Sequence, residues 1–215
     1  GSDTVDLVFE DCRVTAEDML GEEGEGFKIA MTGLDGGRIG ISAQSVGVAQ
    51  AALDAAVQYA KEREQFGQSI SRFQGLRWIV ADMATEISLA QLLCLQLGRL
   101  KDEGRASFAQ VSLAKRNNVR KALEIARTAR TILGANGVSG EYHVMRHMCN
   151  LESVKTYEGT HDIHTLILCR SGRFQVFDER SSNGTTLSAK SPSLASGLPG
   201  VVFLLISWIT PMTSS

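Results

Sequence analysis

The sequence predicts an all-α fold, an up-down four-helix bundle that follows a short N-terminal strand. Long stretches repeat apolar residues at steps of three and four, which is the period of one face of an α-helix. The breaks between these stretches are short, and long helices joined by short connections fold as antiparallel neighbours. Hydrophobic residues make up 43% of the 215 residues, which is enough to fill a core.

Residues 1–25 are predicted to hold a short strand remnant rather than part of the bundle. Apolar side chains alternate with polar ones at Val5, Leu7 and Phe9, the two-residue period of a β-strand. A single short strand does not make a stable sheet. We therefore expect its partner strands to belong to residues outside this chain.

Three long helices form most of the predicted bundle domain, residues 26–171. The first runs from Gly26 to about Arg63 and is broken at Gly67. The second follows this break and ends in a turn at 101–104, and the third runs over roughly 107–133. The second helix has the regular three-four spacing of a bundle seam. Its seam residues are Phe73, Leu76, Val80, Met83, Ile87, Ala90, Cys94 and Leu97.

Two shorter helices and a tail complete the chain. The glycine-rich segment 134–140 interrupts the helical pattern, and short helices are predicted from about His143 and from about Asp162 to Arg170. Residues 172–215 are rich in Ser, Gly and Thr and have no apolar period. This composition predicts a mostly disordered tail.

Charge and metal-ligand spacing argue against several classes of function. A net charge of −2 predicts no general attraction to nucleic acid or to membranes. The basic pairs at 115–116 and 120–121 are interpreted as a solvated or subunit-facing helix face. His143 and His147 are four residues apart, but no further ligand converges on them by spacing, so no metal site is predicted.

The polar segment YEGTHDI, which contains Glu158, has the features of a catalytic carboxylate. A general base is partly desolvated, and the neighbouring Gly159 would let a ligand approach closely. Thr160 or Asp162 could cap the helix that follows. Taken alone, however, such a segment is more often a simple capping turn.

Other polar segments lie between the helices. Arg63 and Phe66 stand beside a helix break and Gln74 begins the next helix, where an arginine could bind a pyrophosphate and a phenylalanine a ring. The alternative is a charged helix end with a core phenylalanine. The GANG segment is more often only a turn, and Asp35 and Arg38, one helical turn apart, are more often a surface ion pair.

The order of these segments is more specific than any one of them. LDGGR, REQFG with a later Gln, LGANG and YEGT, in this order and at these separations, resemble the C-terminal domain of the acyl-CoA dehydrogenase family. The resemblance covers about residues 4–170, and it implies that residues 1–25 are the remnant of the family's middle β-domain. Residues 85–170 are most similar to glutaryl-CoA dehydrogenases, through AKRNNVRKALEIAR and YEGTHDIHTLIL, whereas residues 26–84 are at least as similar to short-chain or branched-chain members.

The resemblance implies a flavoprotein oxidoreductase of fatty acid or amino acid catabolism. It would use FAD for the α,β-dehydrogenation of an acyl-CoA thioester, with glutaryl-CoA and its decarboxylation as one candidate, and Glu158 as the catalytic base. Electron-transfer flavoprotein would accept the electrons. The resemblance also implies a homodimer or homotetramer in the bacterial cytoplasm or the mitochondrial matrix.

The resemblance also assigns binding residues. Those implied to contact FAD, the first three largely in a neighbouring subunit, are Arg63, Phe66, Gln74, Thr131, Gly134, Ala135, Thr160 and Asp162. Those implied to face the acyl-CoA are Asp35, Arg38, Tyr157 and Gly159.

The sequence departs from the family pattern in several places. Thr131 stands where the family usually has Gln, and Ala135 where it has a second glycine. The family's N-terminal helical domain and most of its middle sheet, which hold one flavin face, have no counterpart in these residues. The chain alone is therefore expected to bind FAD weakly and to be weakly active or inactive. Two alternatives remain: a non-catalytic helical fragment that oligomerises or binds a partner, and a family relative with other flavin chemistry, such as an oxidase.

Overall fold

The computed structural model describes residues 5–171, which form a bundle of three long and two shorter helices. The helices are α1 Gly26–Glu62, α2 Gln74–Asp102, α3 Phe108–Ile132, α4 Val144–Thr156 and α5 His161–Arg170. The predicted all-α bundle is confirmed, with its helices close to the predicted bounds. The predicted disordered tail, residues 172–215, lies outside the described residues.

A tight hairpin joins α1 to α2. Strands β1 Glu64–Gln65 and β2 Gln68–Ser69 pair antiparallel on either side of Phe66 and Gly67. Both turn residues have positive φ, 55° and 77°, as a two-residue hairpin of the primed type requires. The predicted helix break at Gly67 is therefore a hairpin tip, and it presents Phe66 to solvent.

Helix α3 occupies the centre of the bundle and contacts each of the other four helices. It begins with a capping box, in which Ser107 Oγ accepts from the Gln110 amide at 3.3 Å and Gln110 Oε1 accepts from the Ser107 amide at 2.8 Å. Many of its inward residues are alanines, which allow close helix approach. The most buried are Ala114, Ala122, Ala126 and Ala129.

The predicted seam of α2 is confirmed. Four of its residues, Met83, Ile87, Ala90 and Leu97, are at most 4% exposed, and the other four are partly buried. The seam residue Cys94 also makes polar contacts. Asn118 Nδ2 donates to Ser42 Oγ at 2.9 Å and to Cys94 Sγ at 3.1 Å, which ties α1, α2 and α3 together.

The opposite face of α2 carries large apolar side chains in solvent. Trp78, Leu89, Leu92 and Leu95 are each more than half exposed. By length and composition α2 is also the one helix within residues 5–171 that could span a membrane. Its other face is packed in the bundle, so the exposed face is an apolar surface with no partner among the described residues.

The strand predicted from Val5, Leu7 and Phe9 does not form. Residues 5–9 have no regular structure, and all three side chains are more than half exposed. A β-strand needs a hydrogen-bonded neighbour, and the strands within residues 5–171 pair only with each other. The expected strand therefore lacks partners within residues 5–171, and the assignment of residues 1–25 to a middle β-domain stays a prediction.

Candidate functional site

Glu158 lies in the short turn between α4 and α5, with its carboxylate buried. Its side chain is 7% exposed, and its φ of 54° places it in the left-handed region that few residues other than glycine adopt. The carboxylate lies against α1, since a Cβ added to Gly37 would be 2.9 and 3.0 Å from its two oxygens. Oε2 makes no hydrogen bond to any residue in the described part of the chain.

Two buried cationic side chains bind the backbone around Glu158 rather than its carboxylate. Lys115 Nζ donates to the carbonyls of Tyr157 and Gly159 at 2.9 and 2.8 Å. Arg38 Nε donates to the carbonyl of Glu158 itself at 3.0 Å. Within residues 5–171 the carboxylate takes part in no ion pair. Three successive carbonyls are thus held by positive charge while the carboxylate between them stays unpaired.

Burial and these charges shift the pKa values at the turn. Burial raises the pKa of Glu158, and the charges of Lys115 and Arg38 oppose this rise without reversing it. Burial lowers the pKa of Lys115 to about 8, against the stabilising charge of Glu158. Burial, reinforced by Glu158, also raises the pKa of Tyr157. A carboxylate with a raised pKa is a stronger base than an exposed glutamate.

Lys115 corrects the interpretation of the basic pairs on α3. The pairs were expected to form one solvated or subunit-facing surface, but Lys115 is only 1% exposed. Its neighbour Arg116 donates to Thr165 Oγ1 at 2.8 Å, and Lys121 binds Glu86 of α2 at the same distance. Lys115 stands four residues from the buried Val111 on the core side of α3, and that spacing was the available signal.

His164 of α5 is a further buried group that the sequence analysis did not identify. It is fully buried, and neither ring nitrogen makes a hydrogen bond within residues 5–171. Burial, with the charges of Lys115 and Arg38, lowers its pKa to about 4, so the ring is neutral at pH 7. A Cβ on Gly159 would lie 3.0 Å from His164 Nε2, and Gly159 has a φ of 94°, so glycine is required there twice over. Helix α5 has ten residues, too few for its period to reveal this histidine.

The residues implied to face acyl-CoA come together at this turn. Arg38 Nη1 pairs with Asp35 at 2.9 Å, and the Arg38 side chain is only 11% exposed. This burial contradicts the alternative of an ordinary surface ion pair. Tyr157 is half-buried beside them.

Thr160 and Asp162 lie at the start of α5. Thr160 Oγ1 accepts from the Ile163 amide at 3.3 Å and is the N-cap, as predicted. Asp162 is exposed in the first turn of the helix. The two side chains therefore flank the free amide groups of the helix, beside the turn that carries Glu158.

A second cluster of predicted residues lies at the far end of α1. Arg63, Gly134 and Ala135 line one open cleft of about 310 Å³. Arg63 makes no ion pair within residues 5–171, and Gly134 is exposed with a φ of 59°. An uncompensated guanidinium beside exposed glycine backbone fits a pyrophosphate-containing group such as FAD.

The remaining predicted FAD residues are exposed near the hairpin and the end of α3. Phe66 is 91% exposed and contacts Phe73 edge-on, with ring centroids 6.1 Å apart. Gln74 is the first residue of α2, and Thr131 lies in the last turn of α3, with its hydroxyl bound to the Arg127 carbonyl. Because the Thr131 hydroxyl donates its proton to this carbonyl, its oxygen can only accept a further hydrogen bond.

The two clusters are well separated. Arg38 is in the middle of α1 and Arg63 follows its last residue, so the helical rise places them about 37 Å apart. An extended dinucleotide is shorter than this distance. The structure therefore brings the predicted residues together in two groups, one around Glu158 and one around Arg63.

The comparisons with known proteins identify the family of this chain. The family described as "Acyl-CoA dehydrogenase, C-terminal domain" matches residues 24–172. The chain belongs to the acyl-CoA dehydrogenase family. The resemblance predicted from the ordered segments is thereby confirmed.

Similar relatives within the acyl-CoA dehydrogenase family include enzymes of different chemistry. The acryloyl-CoA reductase (NADH) of Anaerotignum propionicum is 41% identical over 79% of this chain and 43% of its own length. The short-chain-specific acyl-CoA dehydrogenase of Megasphaera elsdenii is 44% identical over 77% of this chain and 43% of its own length. The chain thus spans less than half the length of these relatives.

A solved glutaryl-CoA dehydrogenase, from Mycobacterium smegmatis, is also similar. Its TM-score with this chain is 0.64, with 52% identity over 65% of this chain and 36% of the other. Glutaryl-CoA dehydrogenases are therefore among the structural neighbours, as the resemblance of residues 85–170 predicted.

Proposed function

We propose that this chain supplies the catalytic base of an FAD-dependent acyl-CoA dehydrogenase. The observation that carries the proposal is the buried carboxylate of Glu158, which stays unpaired although the cations of Arg38 on α1 and Lys115 on α3 bind the backbone of the same turn. A structural glutamate in this place would be expected to neutralise one of them, because buried charges are normally paired. A carboxylate held free of partners is instead available to a substrate proton.

Glu158 would remove the proton from the α-carbon of the thioester. FAD, when bound, supplies the acceptor for the hydride that leaves the β-carbon. The α-proton is weakly acidic, so the developing enolate oxygen needs hydrogen-bond donors, and the resemblance assigns this role in part to the Glu158 amide. Because its pKa is raised, Glu158 is a stronger base for this proton than an exposed glutamate would be.

The residues of this chain would contact two FAD molecules. Thr160 and Asp162 would contact the FAD of the chain's own site, where Tyr157 and Gly159 would face the acyl-CoA. Arg63, together with Phe66, Gln74 and the loop of Gly134 and Ala135, would serve a neighbouring subunit. The separation of about 37 Å along α1 supports this division.

This division requires a homo-oligomer, either a dimer or a tetramer. The exposed apolar face of α2 supplies surface for such an interface, since monomeric proteins rarely expose contiguous apolar patches. We expect multi-angle light scattering of the 215-residue chain to give at least twice the chain mass at micromolar concentration. A Leu92→Glu variant should lower that mass, whereas Glu103→Lys, at an exposed polar position after α2, should not. A monomer for the parent chain would contradict the assignment of Arg63 to a neighbour's cofactor.

The substrate would be a short-chain acyl-CoA or glutaryl-CoA. The similar proteins include a short-chain-specific acyl-CoA dehydrogenase and a glutaryl-CoA dehydrogenase. The relatives come from bacteria and from mitochondria, which supports the bacterial cytoplasm or the mitochondrial matrix as the location. Electron-transfer flavoprotein would be the electron acceptor, and fast reoxidation of the reduced flavin by O2 would indicate an oxidase instead.

Gly37→Ala tests the position of the carboxylate. The added Cβ would stand about 3 Å from both oxygens of Glu158, so the carboxylate must move. A misplacement of about 1 Å costs up to about a hundredfold in rate, while a helical Gly→Ala change favours folding by up to about 1 kcal/mol. We expect kcat to fall by about that factor with no loss of stability. The measurement is acyl-CoA turnover in a chimaera that carries residues 24–172 in place of the matched part of the Megasphaera elsdenii enzyme.

Gly36→Ala is the matched control. It adds the same methyl group one residue earlier in α1, where no atom lies within 4 Å. This variant should keep the turnover of the parent chimaera. Equal turnover in both variants would mean that the carboxylate seen against Gly37 is not the catalytic group.

A further inference from the structure

Lys115 uses two of its three N–H donors in hydrogen bonds to the backbone on either side of Glu158. Its ammonium group reaches from α3 to the carbonyls of Tyr157 and Gly159, which lie 42 and 44 residues later in the chain. The side chain is 1% exposed, so this contact is made without water. A lysine is rarely buried unless its charge is used.

We infer that Lys115 is a positioning residue, which holds the two carbonyls on either side of Glu158 and so keeps the carboxylate directed at α1. This inference rests on the proposed role of Glu158 as the base. Lys115 itself would touch neither substrate nor flavin. It would act through the backbone conformation of Glu158.

The turn needs such support because its backbone is strained. A residue other than glycine is sterically strained in the left-handed region, and Glu158 has a φ of 54°. Such a conformation persists only where the surroundings fix it. Helix α4 ends at Thr156 and Thr160 caps α5, so only three residues make the connection. Their three carbonyls are all held by Lys115 or Arg38.

A compact ammonium group suits this place better than a guanidinium would. Lysine presents three rotatable donors from one point, which can reach two carbonyls separated by one residue. Arg38, on α1, holds the carbonyl between them from the other side and is itself paired with Asp35. The other titratable groups that face Lys115 are the carboxylate of Glu158 and the neutral ring of His164 on α5.

The test is Lys115→Met in the 215-residue chain, studied by NMR with labelled glutamate carboxyl carbons and backbone nitrogens. Methionine is similar in length but has neither charge nor donor. Without the two hydrogen bonds from Lys115, Glu158 should leave the left-handed conformation and its carboxylate should reach water. We therefore expect the raised pKa of Glu158 to fall towards that of an exposed glutamate, and the amide signals of Glu158 and Gly159 to shift.

Lys121→Met is the matched control. It removes a lysine from the same helix together with its hydrogen bond to Glu86, which is 2.8 Å long. The titration of Glu158 should be unchanged in this variant. The inference would be overturned by a folded Lys115→Met chain in which the pKa of Glu158 stays raised or rises further. The carboxylate would then remain buried without the hydrogen bonds from Lys115.

A second measurement covers the case in which Lys115→Met does not fold. In the parent chain with labelled lysine side-chain nitrogens, the Lys115 ammonium protons should exchange slowly with water and lie close to the Gly159 backbone. Fast exchange, like that of an exposed lysine, would overturn the inference. Neither measurement uses turnover, so a failure here is distinct from a failure of Glu158 as the catalytic base.

Discussion

Replacing Glu158 with glutamine should lower acyl-CoA dehydrogenation by roughly 10³- to 10⁴-fold, the upper part of the range for loss of a general base. Glutamine keeps the shape of the side chain but cannot accept the α-proton. Binding of FAD and acyl-CoA should be nearly unchanged, because this substitution removes an interaction needed only in the transition state. The measurement is anaerobic flavin bleaching by acyl-CoA in the chimaera that carries residues 24–172.

The pH profile gives the same test a second readout. Only the ionised carboxylate accepts a proton, so the activity of the parent chimaera should fall as the pH drops through the raised pKa of Glu158. This acid limb should be absent from the residual activity of Glu158→Gln. Glu103→Gln, an exposed substitution that weakens a surface pair with Arg105, should keep both rate and profile. Turnover of Glu158→Gln within about tenfold of the parent would exclude Glu158 as the base.

Met83→Asp should destabilise the 215-residue chain by roughly 4 kcal/mol, the range for losing a large core side chain and burying a charge in its place. Met83 is 4% exposed in the seam that α2 forms with the rest of the core. The measurement is the free energy of unfolding from urea denaturation followed by circular dichroism.

Thr85→Asp is the control for this substitution. Thr85 lies two residues further along α2 and is exposed, so an aspartate there is solvated. Its free energy of unfolding should stay within about 0.5 kcal/mol of the parent, as for most surface changes. A loss as small as this for Met83→Asp would mean that the seam is not the core of the folded chain.

The sequence by itself determined the helices and predicted the candidate site. The three- and four-residue apolar steps predicted the long helices, because the period of an α-helix is local and is written in consecutive residues. Local chemistry also predicted the break at Gly67 and the cap at Thr160. Glu158 could be named as the base only through the ordered segments, since a single glutamate before a glycine is not specific.

The extent of secondary structure was only partly predictable, because it depends on partners. The alternation over residues 5–9 predicted a strand, yet no partner strand lies within residues 5–171, and the stretch stays irregular. At Phe66 and Gly67 the sequence predicted only a helix break and not the hairpin. Its two strands have two residues each, which is too short for an alternating pattern to appear.

Only the tertiary structure decided what surrounds the carboxylate. The sequence predicted Lys115 as one of four surface charges. In the fold its side chain is buried and donates to carbonyls more than 40 residues later in the chain. The close approach of Gly37 to Glu158 and the burial of His164 depend in the same way on how α1, α3 and α5 pack. The helical period is set between neighbours in the chain, whereas the pKa of Glu158 is set by groups that only folding brings together.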